Sequence, residues 1–231
     1  NYKYLDIYSF ASDNQRVIQR TKKANNKVGI VSGGGSGHLP VFTGYVGKGM
    51  LDACAVGSVF ASPSVDQIAS AIRNGNNGSG VLCVLGNYGG DVMNFEMACE
   101  IVKSEGIETK MIIISDDIAS ASNEDKLKRR GIAGLIFAFK IAGACSENGA
   151  SLEEVYNLTL KANDNLRTIG VAVSSCILPE VGKPTFELEN DEIEIGMGIH
   201  GEPGIKREKL RKADLLVDDL CKIIFEDFEL S

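Results

Sequence analysis

Only two of the 231 residues are histidine, none of the six cysteines stands in a Cys-x-x-Cys pair, and positive charge is in deficit. Each shortage excludes something. Lys and Arg number 24 against 31 Asp and Glu, for a net charge of −7, and the basic residues are scattered. A chain that grips a phosphate backbone needs a basic face, so direct nucleic-acid binding is not expected. Cys54, Cys83, Cys99, Cys145, Cys176 and Cys221 lie far apart, mostly in apolar segments. That pattern predicts buried thiols in a reducing cytoplasm, without a structural zinc site. The longest apolar stretch, 134–145, is broken by Lys140 and is too short to span a bilayer. No basic-then-apolar leader opens the sequence, so no export signal is expected.

Nucleotide signatures are missing too. In residues 33–37 the last glycine of a dinucleotide fingerprint would fall on His38. The same histidine spoils a Gly-x-Ser-x-Gly nucleophile elbow around Ser36. Gly47-Lys48-Gly49 lacks the upstream spacing and the Ser or Thr of a Walker loop.

What is present is an ordinary globular balance, 44% hydrophobic and 24% charged, with an excess of glycine. Glycine contributes 26 residues, about 11% against a usual share of roughly 7%, so backbone loops are expected to build the working surface. Short apolar runs at 28–32, 80–85 and 110–115 alternate with helical periods at 63–74, 91–105, 132–148 and 152–166. Buried strands separated by helices predict an α/β fold, a parallel sheet with helices on both faces. After Ile169 the pattern changes. Strands are expected at 171–175, 185–188 and 192–196, in a mixed, half-exposed sheet, with a charged helix at 208–228. The expected division is therefore a first α/β domain, 1–168, and an incomplete second α/β domain, 169–231, carrying the second histidine.

Glycines flank both histidines. His38 ends Ser-Gly-Gly-Gly-Ser-Gly-His after the first buried strand, and His200 sits in Gly-Ile-His-Gly-Glu-Pro-Gly after a later one. Ligands in open α/β sheets bind at the carboxyl ends of strands, and glycine lets backbone amides close around them. One isolated histidine in a loop usually just hydrogen-bonds it, but two out of two in glycine loops favour a ligand site. Gly86-Asn87-Tyr88-Gly89-Gly90-Asp91 is a third candidate. Asp91 reads equally as a helix N-cap and as a carboxylate held ionised at a helix N-terminus to accept a substrate proton. Lys183, Arg129 and Arg130 are taken as surface or packing charges.

At these loops the sequence resembles the dihydroxyacetone kinase family, in particular its substrate-binding DhaK-type subunit. The resemblance rests on SGGGSGH at 32–38, GKGML at 47–51, FASPS at 60–64, NFEMA at 94–98, RRG at 129–131, GKP at 182–184 and GIHGEPGI at 198–205. It implies a homodimer that takes dihydroxyacetone. His200 would form a covalent hemiaminal with the ketone, His38 would hydrogen-bond the triose, and Asp91 would act on a terminal hydroxyl. The backbone of Gly34, Gly35, Ser36 and Gly37 would shape the pocket beside Gly86 and Asn87. No nucleotide would be bound by the chain itself, because in the family a separate subunit carries it. One departure stands out: where kinase subunits carry Lys, then Asn-Tyr-Thr-Gly-Asp, this sequence has Gly86 and Gly89. Capture without transfer is the behaviour of the family's coactivator branch, DhaQ, which partners a TetR-type transcription factor. The resemblance therefore implies a cytoplasmic ligand-sensing coactivator ahead of a kinase subunit.

Overall fold

A computed structural model describes residues 6–178 and 181–229. It divides into two compact units, Asn1–Ile114 with Leu135–Asn165, and Ser115–Gly134 with Leu166–Ser231. The sequence reading drew one cut near 169. The second unit starts close to that point, but it also takes the segment 115–134 from the middle of the chain. Its residues Asp116, Ile118, Arg129 and Arg130 bond to the later segment, which no linear cut can capture.

The first unit is built on a six-stranded sheet: β1 (Tyr8–Phe10), β2 (Val17–Arg20), β3 (Lys27–Gly35), β4 (Ala53–Gly57), β5 (Gly78–Gly86) and β6 (Thr109–Ile114). The order is β1-β2-β4-β3-β5-β6. The four strands β4, β3, β5 and β6 are parallel, as the continuous apolar runs predict, while β1 and β2 join antiparallel at one edge. Only a short loop separates β1 from β2, too little for the crossover that a parallel pair requires.

Alternation along the strands sorts side chains to two faces. Val28, Ile30, Leu82, Val84, Ile112 and Ile114 pack with Leu135, Ala138 and Phe139 of α3 (Gly134–Glu147) and Leu152 and Val155 of α4 (Leu152–Asp164). Val31, Val81, Cys83 and Leu85 face Ile68 and Ile72 of α1 (Val65–Gly75) and Phe95, Ala98 and Val102 of α2 (Gly89–Ser104). Each large side chain so buried contributes about 1.5–3 kcal/mol. Capping boxes set two helix starts, Ser64 with Gln67 on α1 and Ser151 with Glu154 on α4.

A four-charge cluster lies buried at the edge of the first core. Arg20 Nη1 donates to Asp52 Oδ1 at 2.9 Å, Lys27 Nζ lies 3.0 Å from Asp52 Oδ2 and 3.2 Å from Glu147 Oε1, and Arg20 also pairs with Glu147. The Ile30 amide donates to Asp52 Oδ2 at 2.9 Å. The cluster ties β2, β3 and the end of α3 to the segment entering β4.

The second unit holds an antiparallel sheet of β7 (Val171–Ala172), β8 (Glu192–Ile195) and β9 (Lys206–Lys209), followed by α5 (Ala213–Asp227). Two expectations are corrected. Residues 185–188 form no strand; Pro184 alone bridges Ile177. Residues 208–209, expected to open the last helix, belong to β9, because pairing with β8 offers them a complete ladder and overrides their weak strand propensity. Of the two readings open for Arg129, surface or packing charge, the structure has the second. It is 1% exposed and forks onto Asp227 at 2.9 and 2.5 Å, with Arg167 bonding the same carboxylate.

Candidate functional site

In the first unit, the carboxyl ends of β3 and β5 and the segment after β4 carry the candidate residues. Gly33, Gly34 and Gly35, expected to open a loop, continue β3 and pair with Ala55, Val56 and Gly57 of β4. A parallel neighbour supplies their backbone bonds, so the low strand propensity of glycine does not end the strand. The turn begins at Ser36, whose amide donates to Ser58 O at 3.1 Å, and the Gly37 amide donates to Val59 O at 2.5 Å. His38 closes this 3-10 turn, half-buried, its ring stacked on Phe60 at 4.9 Å between centroids. The Leu39–Pro40 peptide that follows is cis. Glycine at 37 is required by close approach: a Cβ there would lie 2.3 Å from the Phe60 ring, displacing the platform under His38.

Gly86 ends β5 and is buried, and the Asn87 amide donates to Ile114 O at 3.2 Å. α2 then starts at Gly89 with Tyr88 in the N-cap position. Asp91 is therefore not the cap, since Gly89 and Gly90 extend the helix by half a turn ahead of it. It lies in the first turn, partly buried. A Cβ on Gly90 would stand 2.8 Å from Ser62 Oγ, and Asn94 Nδ2 donates to Pro63 O at 2.8 Å. These approaches bring the 58–63 segment beside the Asp91 turn, while the same segment holds the Ser36–His38 turn. His38, Asp91, Asn87, Gly86 and the amides of 34–37 thus gather at one rim of the sheet.

In the second unit, β8 runs into a loop built around His200. The Gly198 amide donates to Glu202 O at 2.9 Å, and Gly201, at φ +88°, donates back to Gly198 O at 3.0 Å. Glu202 then holds His200 twice: Oε2 accepts the His200 amide at 2.9 Å and Oε1 meets Nδ1 at 3.0 Å. A carboxylate on Nδ1 fixes the tautomer with its proton there, so Nε2 of the neutral ring carries the lone pair. Arg130 backs the carboxylate with Nη1 3.9 Å from Glu202 Oε2 while donating to Gly196 O at 3.0 Å and Asp117 Oδ2 at 2.8 Å. A Cβ at Gly198 would fall 2.2 Å from both Arg130 Nη1 and Glu202 Oε2, so any side chain there splits the pair. Asp117 is fully buried, and burial pushes its carboxyl up against the opposing pull of Arg130.

Burial acts to raise the Glu202 carboxyl, but hydrogen bonds from the His200 ring, its own amide and the His200 amide bring it down to about 2. A carboxyl with a depressed folded value stabilises fully above its unfolded value of 4.5 and loses that contribution as pH falls toward 2. Urea midpoints of the wild type and Glu202→Gln are therefore expected to differ at pH 7 and to converge as pH drops from 4.5 toward 2. Midpoints differing by a constant amount across that range would contradict the assignment.

Sequence reasoning singled out both histidines and Asp91 as candidates, but not Glu202, Arg130 and Asp117, which bond to or back His200. Glu202 was legible two residues after His200. Arg130 was not, because its partners come from distant parts of the chain. Two cavities lie away from these loops, one of about 750 Å³ at α3 and α4 beside Ile141, Cys145 and Leu158, and one of about 600 Å³ at the amino ends of the strands. Neither carries a histidine. Among the described residues no cluster of His, Cys, Asp and Glu suits a metal ion, and no helix is long and apolar enough to cross a membrane.

The family model described as the Dak1 domain matches residues 2–231. This chain belongs to the Dak1 domain family. The Dak1 chain is 49% identical over 215 residues to the dihydroxyacetone-binding subunit DhaK of PTS-dependent dihydroxyacetone kinase 1 from Listeria innocua, covering 93% of this chain and 65% of that protein. It is 46% identical over 230 residues to the DhaK subunit of Lactococcus lactis, covering 100% of this chain and 69% of that one. It thus spans about two thirds of the length of these relatives. Among solved structures, the dihydroxyacetone kinase operon co-activator DhaQ superposes with a TM-score of 0.89 at 33% identity, over 99% of this chain and 69% of that one. The dihydroxyacetone kinase of C. freundii, in complex with AMP-PNP and Mg²⁺, gives 0.88 at 36%, over 96% and 41%. The α/β fold of the Dak1 chain is that of these proteins.

Proposed function

We propose that this chain captures dihydroxyacetone covalently through His200 and acts as a ligand-sensing coactivator of a TetR-type transcription factor that controls a dihydroxyacetone kinase operon. The observation that carries the capture step is the His200–Glu202 pair at 3.0 Å, which aims the proton at Nδ1 and the lone pair at Nε2. The Nε2 lone pair forms a bond to the ketone carbon as the carbonyl π pair moves onto oxygen. That oxygen takes up a proton, the ring gives one up from Nδ1, and Glu202 stabilises the positive charge the ring gathers meanwhile. A ligand without a carbonyl, such as glycerol, cannot be held this way, so the chemistry itself selects.

The coactivator role rests on a missing cation. No Lys or Arg occurs in residues 32–38, 58–63 or 86–91, where Gly86 stands in place of the family lysine. Phosphoryl transfer leans on preorganised positive charge, and glycine supplies none. The net charge of −7 leaves DNA contact to the partner, and the chain would act as a homodimer without a nucleotide of its own. The likeness to DhaQ in fold is consistent with this role. A second reading, a catalytic subunit whose nucleotide-carrying partner restores the cation, is favoured by the 49% and 46% identities to DhaK subunits.

A phosphotransfer assay with the kinase partner subunits supplied separates the two. The wild type is expected to bind the triose with no turnover, and Gly86→Lys to keep the bound triose while gaining measurable transfer. Turnover by the wild type at the rate of a DhaK subunit would sink the coactivator reading. A crystal grown with dihydroxyacetone tests the capture itself: continuous density from the His200 ring to the ketone carbon is expected.

A further inference from the structure

Two of the six cysteines meet in the folded chain. Cys83 sits in β5 with no exposed surface, Cys99 sits partly exposed on α2, and their sulfurs lie 3.9 Å apart. They are distant in sequence, and the cysteine pattern predicted only isolated buried thiols. We propose that Cys83 and Cys99 form a peroxide-sensitive dithiol whose disulfide ties α2 to β5 beneath the Gly86–Asp91 turn. This pair stands apart from the ligand assigned above and does not depend on it.

The two sulfurs differ in the way a redox pair requires. The nucleophile must be a thiolate within reach of solvent, and the resolving thiol must lie beside it. Cys99 is the accessible partner. A hydrogen bond from Cys83, then one from Thr109, holds its thiol down to about 7, against burial and the nearby Glu100 and Glu96. Cys83 is pushed well up, by its bond to Cys99 and by burial. The other shifted thiols go the opposite way from Cys99: burial drives Cys54 up to about 12 and raises Cys145.

The chemistry balances with one equivalent of hydrogen peroxide. The Cys99 thiolate attacks one peroxide oxygen, the O–O bond breaks, and hydroxide leaves, giving a Cys99 sulfenic acid. The Cys83 sulfur then attacks the Cys99 sulfur, the S–O bond breaks, and the proton of Cys83 leaves with the oxygen as water. Two electrons pass from the dithiol to the peroxide. Bonded sulfurs sit at about 2.05 Å, so these must close by roughly 2 Å, drawing α2 onto β5. Gly86 ends β5 three residues beyond Cys83, and Asp91 stands about 12 Å back along α2 from Cys99. Both ends of the turn are thereby coupled to the bond.

Titrating the reduced chain with hydrogen peroxide, then unfolding and alkylating it, tests this directly. The expected result is an intact mass lower by two hydrogens before alkylation, with Cys83 and Cys99 protected together in one linked peptide and Cys54 still alkylated. In Cys83→Ser, which removes the resolving sulfur but keeps a hydroxyl donor beside Cys99, Cys99 is expected to be trapped by dimedone as a sulfenic acid. Amide exchange across residues 86–91 is expected to change at least fivefold on oxidation and to recover with dithiothreitol. Cys99 still free when exposed Cys176 is fully oxidised, Cys99 bonded to any sulfur other than Cys83, or no dimedone label in Cys83→Ser would each overturn the dithiol. A disulfide with unchanged exchange at 86–91 would overturn its coupling to the turn.

Discussion

Replacing His200 by alanine is expected to abolish the dihydroxyacetone adduct in intact-mass spectra and to weaken triose binding by at least a hundredfold, about 3 kcal/mol. The size follows from the chemistry. The bond to Nε2 is lost, and the hydrogen bonds that remain hold glycerol equally well. Selectivity for the ketone is therefore expected to vanish together with affinity, which a merely misfolded loop would not predict for a variant that still binds. Glu202→Gln separates aim from charge. Its amide oxygen can still accept from Nδ1, where Glu202 Oε1 stands at 3.0 Å, so the adduct should still form but more slowly, because no carboxylate offsets the positive charge the ring gathers while the bond is made. An adduct of wild-type abundance in His200→Ala would show that another nucleophile does the work.

Asp52→Ala is expected to cost about 3–5 kcal/mol, the range for breaking a buried pair from one side. Asp52 is 3% exposed and serves Arg20, Lys27 and the Ile30 amide at once. Removing it leaves two buried cations sharing the Glu147 carboxylate and an amide of β3 without its acceptor. For a chain of this size the loss lowers the thermal midpoint by roughly 10 °C. Asp125→Asn is the matched control. Its pair with Lys128 at 2.8 Å joins two exposed side chains, and such pairs are screened by water, so the midpoint should stay where it is. Equal shifts for the two variants would remove the buried cluster as a source of stability.

Much of the fold was readable along the chain. The apolar runs at 80–85 and 110–115 are β5 and β6, because a strand covered on both faces needs no polar alternation. Ser64 with Gln67 and Ser151 with Glu154 mark helix starts through bonds made entirely within four residues. β4 escaped notice because Ala-Cys-Ala-Val-Gly has little β-branched bulk, and its strand character comes from lying between β2 and β3. The glycines at 33–35 misled for the same reason. Arg129 and Arg130 could be read only as surface or packing charges, because their partners Asp227 and Asp117 are brought to them by the fold.

The order of residues alone determined the α/β class, the family, and the two histidines and the aspartate as the groups to watch. Each of these rests on local pattern or on motifs that survive without coordinates. Only the tertiary structure decided that Arg130 stands behind the His200–Glu202 pair, that 115–134 belongs with the C-terminal unit, and that Cys83 and Cys99 are neighbours. Those facts depend on approaches between segments far apart in the chain, and burial, which sets the charge and reactivity of such groups, exists only once the segments have met.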